Sequence, residues 1–201
     1  MVDQVGICNL ALSWLGAKLI TSISDEQIEA VLCKANYDPA RDAVLEDRDW
    51  TFAIKRRRLT PLADYDEAGF TYAFRLPPEV LRVITVTDGN NQTDVGRGRD
   101  IHWQREGQNI LANESEIHTR TVDIITSEVR FMATFVQAFA ARLAADICTP
   151  LTHSDSLQTK MWQLYERKLG IAAASDGRQG RSEKITPTEL LVSRRLGRGI
   201  L

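Results

Sequence analysis

Cysteine is scarce in this chain and poorly placed for chemistry. Cys8, Cys33 and Cys148 are odd in number and far apart. That spacing fits neither a disulfide framework nor a metal knuckle. They read as buried thiols in a reducing cytoplasm. Histidine is equally sparse. His102, His118 and His153 fall in three different segments, none with a second ligand at helical spacing, so no metal site is written in the sequence. Charge of one sign is lacking too. Lys and Arg number 25, Asp and Glu 27, for a net charge of −2, and no global field draws the chain to nucleic acid or anionic lipid. No apolar run approaches the roughly 18 residues needed to span a membrane. With Asp3 and no basic leader, the N-terminus is not expected to act as a signal peptide.

Catalytic patterns are also missing. His153, Ser154 and Asp155 carry the letters of a triad, but three consecutive side chains cannot align nucleophile, base and orienter. They read as a loop ending in a helix cap. The glycines of 96–99 follow no apolar strand and precede no capped helix, so they do not form a phosphate-cradling loop. Asn91 and Asn113 begin glycosylation-like triplets that read as turns. The pairs Asp47/Asp49 and Asp64/Asp66 sit in polar segments. No catalytic residue, cofactor or metal is expected.

At 201 residues the chain is long enough for one domain, or one domain carrying a large insertion. Helical periodicity covers 3–17, with Ile7, Leu10, Ala11, Trp14 and Leu15 on one face and Gly16 as stop. Ser24 is expected to cap a second helix, with Gln27 as its capping-box partner. Asp38-Pro39 predicts a kink or fresh start before that helix ends near Asp47. Residues 128–148 predict a helix apolar on most of its circumference, with Phe131, Phe135 and Phe139 in line. Its alanines allow close neighbours, as befits the centre of a bundle. Arg142 and Asp146 are spaced to pair, and Thr149-Pro150 is expected to end the helix. Ser154 caps a last helix over 155–173.

Between these helices the texture changes. Strands are predicted at 50–56, 80–87, 101–105, 109–112 and 117–125, separated by turn residues such as Glu106-Gly107-Gln108. The fold class is therefore α+β. A helical bundle core (1–49 with 127–173) carries a β-rich insertion (50–126), followed by an extended tail (174–201). The tail has a net charge of +3 and too few large apolar residues to fold alone. It is expected to dock on a partner through Leu190, Leu191 and Val192, with Arg194 and Arg195 beside them.

The stretch DWTFAIKRRRL, residues 49–59, carries the largest local charge. Read as a strand, it puts Trp50, Phe52, Ile54, Arg56 and Arg58 on one face, leaving the core near Lys55. Lys55, Arg56, Arg57 and Arg58 could grip phosphates, with a salt slope of roughly −3 to −4. However, residues 38–67 hold eight acids against six bases. Salt bridging to acidic neighbours, within or between subunits, is the favoured reading. Trp14, Trp50, Phe52, Phe131, Phe135 and Phe139 are the expected structural anchors.

Several stretches together resemble a known family. ICNLALSWLGAKLITSISD and YDPARDAVLEDRDWTFAIKRRRLTPL are similar to the opening of podovirus head-to-tail adaptors of the tail tubular protein A kind. The matching residues are Asn9, Leu15, Gly16, Ile20, Ser22, Tyr37, Asp38, Arg41, Asp42, Val44, Leu45, Trp50, Phe52 and Ala53. FRLPPEVLRVITV resembles that family's strand entry, and the closing helix with its DGRQGR tail also fits. The resemblance spans most of 5–185 and rests on packing and turn motifs. It implies a structural virion protein, assembled in the host cytoplasm, that forms a ring of about twelve copies by cyclic symmetry. That ring would lie between the portal protein and the tail nozzle protein, with genome DNA passing through its lumen and no membrane contact. The tail would dock on the portal, and residues 55–58 would serve subunit or partner contacts, possible DNA contact included. Two rival readings stand beside it: a head-completion or stopper protein of a long-tailed phage, and a DNA-binding module using residues 55–58 and the basic tail.

Overall fold

Asp3 opens the first helix. In the computed structural model, which describes residues 3–63, 65, 69–88 and 100–179, its carboxylate accepts from the Gly6 amide at 2.8 Å. Helix α1 runs Gln4–Leu15 and ends at Gly16, whose φ of 67° is the left-handed value that favours glycine. The chain then turns back over α1, because Asn9 clamps it. The Ile20 amide donates to Asn9 Oδ1 at 2.8 Å, and Asn9 Nδ2 donates to the Ile20 carbonyl at 2.9 Å.

Helix α2 spans Ile28–Asp47 and corrects two expectations. Ser24 does not cap it. Gln27 occupies the cap position without a side-chain bond, while Asp25 accepts from the Thr21 and Ser22 amides of the preceding turn. Of the kink or fresh start expected at Asp38-Pro39, the fresh start does not occur, because Pro39 lies inside α2. Proline removes one helical hydrogen bond, but buried Tyr37 and Ala40 hold the chain in the core on both sides of it.

The third helix also runs past its expected stop. A 3-10 turn, Glu128–Arg130, precedes α3, Ala133–Thr152, which continues through Pro150. Termination falls to His153, in the left-handed region at φ 51°, whose amide donates to the Thr149 carbonyl. Ser154 Oγ then accepts from the Leu157 amide at 3.3 Å and opens α4, Asp155–Gly177. Buried residues circle α3: Phe135, Val136, Phe139, Leu143, Ile147 and the alanines between them. Helices α1, α2 and α4 all pack against it.

Trp50 and Phe52 serve this helical core, not a strand. Residues 51–53 form a turn, with the Ala53 and Ile54 amides donating to the Trp50 carbonyl. Trp50 is fully buried, its indole N–H donates to the Val44 carbonyl at 2.7 Å, and its ring meets Phe135 edge-on at 5.0 Å. Phe52 packs on Phe131 and Phe135. A fully satisfied indole in an aromatic cluster is a strong anchor, and it outweighs the alternation that favoured a strand.

The strands begin at Ile54. One antiparallel sheet has the order β1 (Ile54–Leu59), β6 (Ile117–Asp123), β3 (Val80–Thr87). The other has the order β2 (Tyr72–Arg75), β5 (Asn109–Ala112), β4 (Trp103–Glu106). Strand β4 starts two residues later than predicted, and β2 was not foreseen. Gly107, at φ 56°, makes the tight β4–β5 turn. The architecture is α+β: four helices and two small antiparallel sheets among the described residues. Phe74, Leu76, Val80, Val86, Ile110, Ala112 and Ile117 form a second core. Val122 and Ile125, by contrast, belong to the helical core, so the strand β6 and the residues just after it reach both. Among the described residues, no helix is long and apolar enough to cross a membrane.

Candidate interaction surface

Strand β1 carries the basic run, and its register sorts the four residues. Lys55 and Arg57 oppose Thr121 and Thr119, while Arg56 and Arg58 oppose Arg120 and His118. Alternate residues point to opposite faces, so the run splits into two pairs with different surroundings.

The first pair converges on a buried acid, Asp123, with Arg57 half-buried and Lys55 exposed. Arg57 Nη1 donates to Asp123 Oδ1 at 3.0 Å and to Thr121 Oγ1 at 2.8 Å, while Nη2 reaches Asp123 Oδ2 and Glu79. Lys55 Nζ lies 3.3 Å from Asp123, whose side chain is fully buried. Burial pushes the Asp123 carboxyl up. Hydrogen bonds from Arg57 and Thr121, with the Arg57 charge and Lys55 beside them, more than reverse this and hold it below its ordinary value. Arg57 is held charged in turn, mainly by its hydrogen bond to Asp123. This cluster ties β1, β6 and the start of β3 together beside the helical core. The sequence alone has the strand leaving the core near Lys55. The structure places Arg57 in a buried network whose acids lie 22 and 66 residues away in sequence.

The second pair faces outward. Arg58 bonds Glu116 at 2.6 Å, and His118 shares that carboxylate at 3.2 Å. Arg56 is exposed and has no ion-pair partner among the described residues. Directly opposite stands Arg120, whose buried Nε has no hydrogen-bond partner. Farther along the same sheet, Arg82 pairs with Asp49.

The remaining candidate residues divide similarly. Phe131, Phe135 and Phe139 are buried as expected. Trp14 is half-buried, with the Lys168 ammonium 5.9 Å from its ring. Leu190, Leu191, Val192, Arg194 and Arg195 lie outside the described residues. The root of their segment is firmly held: α4 runs on to Gly177, past the expected end at 173. Buried Asp176 accepts from the Thr51 amide at 2.9 Å and the Thr51 hydroxyl at 2.7 Å. The sequence reading missed this clamp. Its only signal was a lone acid four residues beyond Ala172 on the buried face.

No family model and no curated protein matches the sequence.

Proposed function

We propose that the chain is a phage structural protein, a head-to-tail adaptor and not an enzyme. It would form a ring between the portal and the tail nozzle, with DNA passing through the lumen. The observation that carries this reading is the work done by the residues of the resemblance. Asn9 clamps a loop, Gly16 stops a helix, Arg41 holds Asp38 and Asp42, and Trp50 anchors the joint between helices and sheets. Each is an architectural task that an adaptor family would need. The outward basic pair on β1 then offers a surface for neighbours, and α4 delivers the tail from a clamped root toward the portal.

The reading predicts that the full-length chain, mixed with the portal protein of the same phage, sediments with the portal in equal copy number. Separate sedimentation at every salt concentration tried would defeat it.

A further inference from the structure

We propose that the outer edge of β1 accepts an extended acidic segment of a partner protein as a fourth strand. Arg56 would read a carboxylate of that segment, and Arg58, already bonded to Glu116, would add a second positive charge two residues on. The inference rests on the sheet alone and not on the adaptor reading.

Strand β1 ends its sheet, and among the described residues no strand pairs with its outer side. The opposite edge is less open, because Thr87 bridges Asp100 and the Ile101 amide donates to the Val86 carbonyl. An edge of unpaired N–H and C=O groups is a template for an added strand. Basic side chains on that edge repel casual partners and select an acidic one.

Charge points the same way. Arg56 and Arg120 stand directly opposite each other, and like charges so placed are destabilising. Arg120 Nε is buried and unmet, and a buried donor without a partner carries a real cost. A carboxylate of the added strand would lie beside Arg56, across β1 from Arg120, and offset that repulsion in the geometry arginine favours. Arg56 and Arg58 lie about 6.8 Å apart along the strand, the same spacing as alternate residues of an added strand. A nucleic acid suits this face less well. Glu116 and Asp49 bracket it, and a continuous phosphate chain would meet both. The strand rows present no Phe, Tyr or Trp on which bases could stack.

The test uses the full-length chain and three probes: a synthetic peptide of about ten residues with glutamate at alternate positions, its scrambled version, and an oligo-dT of matched charge. Binding is measured by calorimetry, and hydrogen exchange reports on β1. The alternating peptide should bind about tenfold tighter than the scramble, Arg56→Glu should remove about tenfold or more of that affinity, and β1 amides should gain protection. Arg56→Gln should lie between the two. Both variants should melt at or above the parent, because each removes the like-charge pair with Arg120. Four results would overturn the proposal: no peptide binding, equal binding to the scramble, unchanged affinity in both variants, or tighter binding of the oligonucleotide.

Discussion

Asp146 on α3 and Asp123 on β6 are both carboxylates held by an arginine, and their surroundings push them in opposite directions. At Asp146 burial pushes the carboxyl up, and Arg142 only partly offsets it. Arg142 bonds Asp146 at 3.0 Å, but its guanidinium also lies 4.8 Å over the Trp162 ring. At Asp123 burial acts the same way but loses to Arg57, Thr121 and Lys55. The helical region rests on apolar packing and carries its charges as accessories. Among the described residues the sheet region has a core cluster of seven buried residues, and an ion cluster fastens it to the rest. One region is held by area, the other by a few directed contacts.

Removing a large aromatic should therefore cause the greatest damage. Trp50→Ala empties a fully buried site where Val44, Phe52 and Phe135 meet. A loss of about 3–5 kcal/mol is expected, measured by urea unfolding. A parental midpoint would mean that the joint is not where stability resides.

Asp123→Asn comes next. It leaves Arg57 and Lys55 facing a neutral group. Both keep some contact with water, so the expected loss is about 3 kcal/mol, the low end for breaking a buried pair. The pH profile gives the sharper contrast. Asp123 is depressed, so its contribution is whole above the unfolded value of about 3.9 and lost as pH falls through the folded value. Asp146 is raised, so its contribution is whole below the unfolded value and lost as pH rises through the folded one. Asp123→Asn should flatten the acid-side fall in Tm, and Asp146→Asn should steepen it. Matching slopes in the two variants would erase the distinction between the regions.

Asp176→Ala removes two hydrogen bonds to Thr51 and should cost about 1–3 kcal/mol. Truncation gives a companion test. A chain ending at 179 should melt like the parent yet lose portal binding, whereas one ending at 174 should lose the same stability as Asp176→Ala. If both truncations melt alike, Asp176 is not a clamp. The smallest effect is expected at Asp146. Asp146→Asn keeps the shape of a carboxyl that burial already disfavours and should change stability at neutral pH by less than about 1 kcal/mol.

These contrasts follow how much of the molecule was legible in the sequence. Helical periodicity located α1, α3 and α4, and local capping and turn residues located the Ser154 cap and the Gly107 turn, because each is set by neighbours within a turn or two; α3, however, begins at Ala133 and not at 128, so Phe131 precedes it. Strand β2 was missed although β4 and β5 are equally short, because those two flank the Gly107 turn and β2 has no such hairpin signal beside it. Pro150 misled because burial of Ile147 and Cys148 kept the helix going for a further half turn. Alternation put Trp50 on a strand, whereas tertiary packing put it in the aromatic cluster. Among the described residues, the salt bridging expected of the basic run is found for Lys55, Arg57 and Arg58 but not for Arg56, and its acids are Glu79, Glu116 and Asp123, outside residues 38–67. The split between Arg57 and Arg56 depends on the pairing of β1 with β6, which no local pattern encodes.

The most direct test of the central claim is to count this chain against the portal protein by quantitative mass spectrometry of purified phage particles. An adaptor ring matched to the portal predicts equal copy numbers in the particle. Finding the chain only in infected-cell extract, and never in particles, would contradict the account.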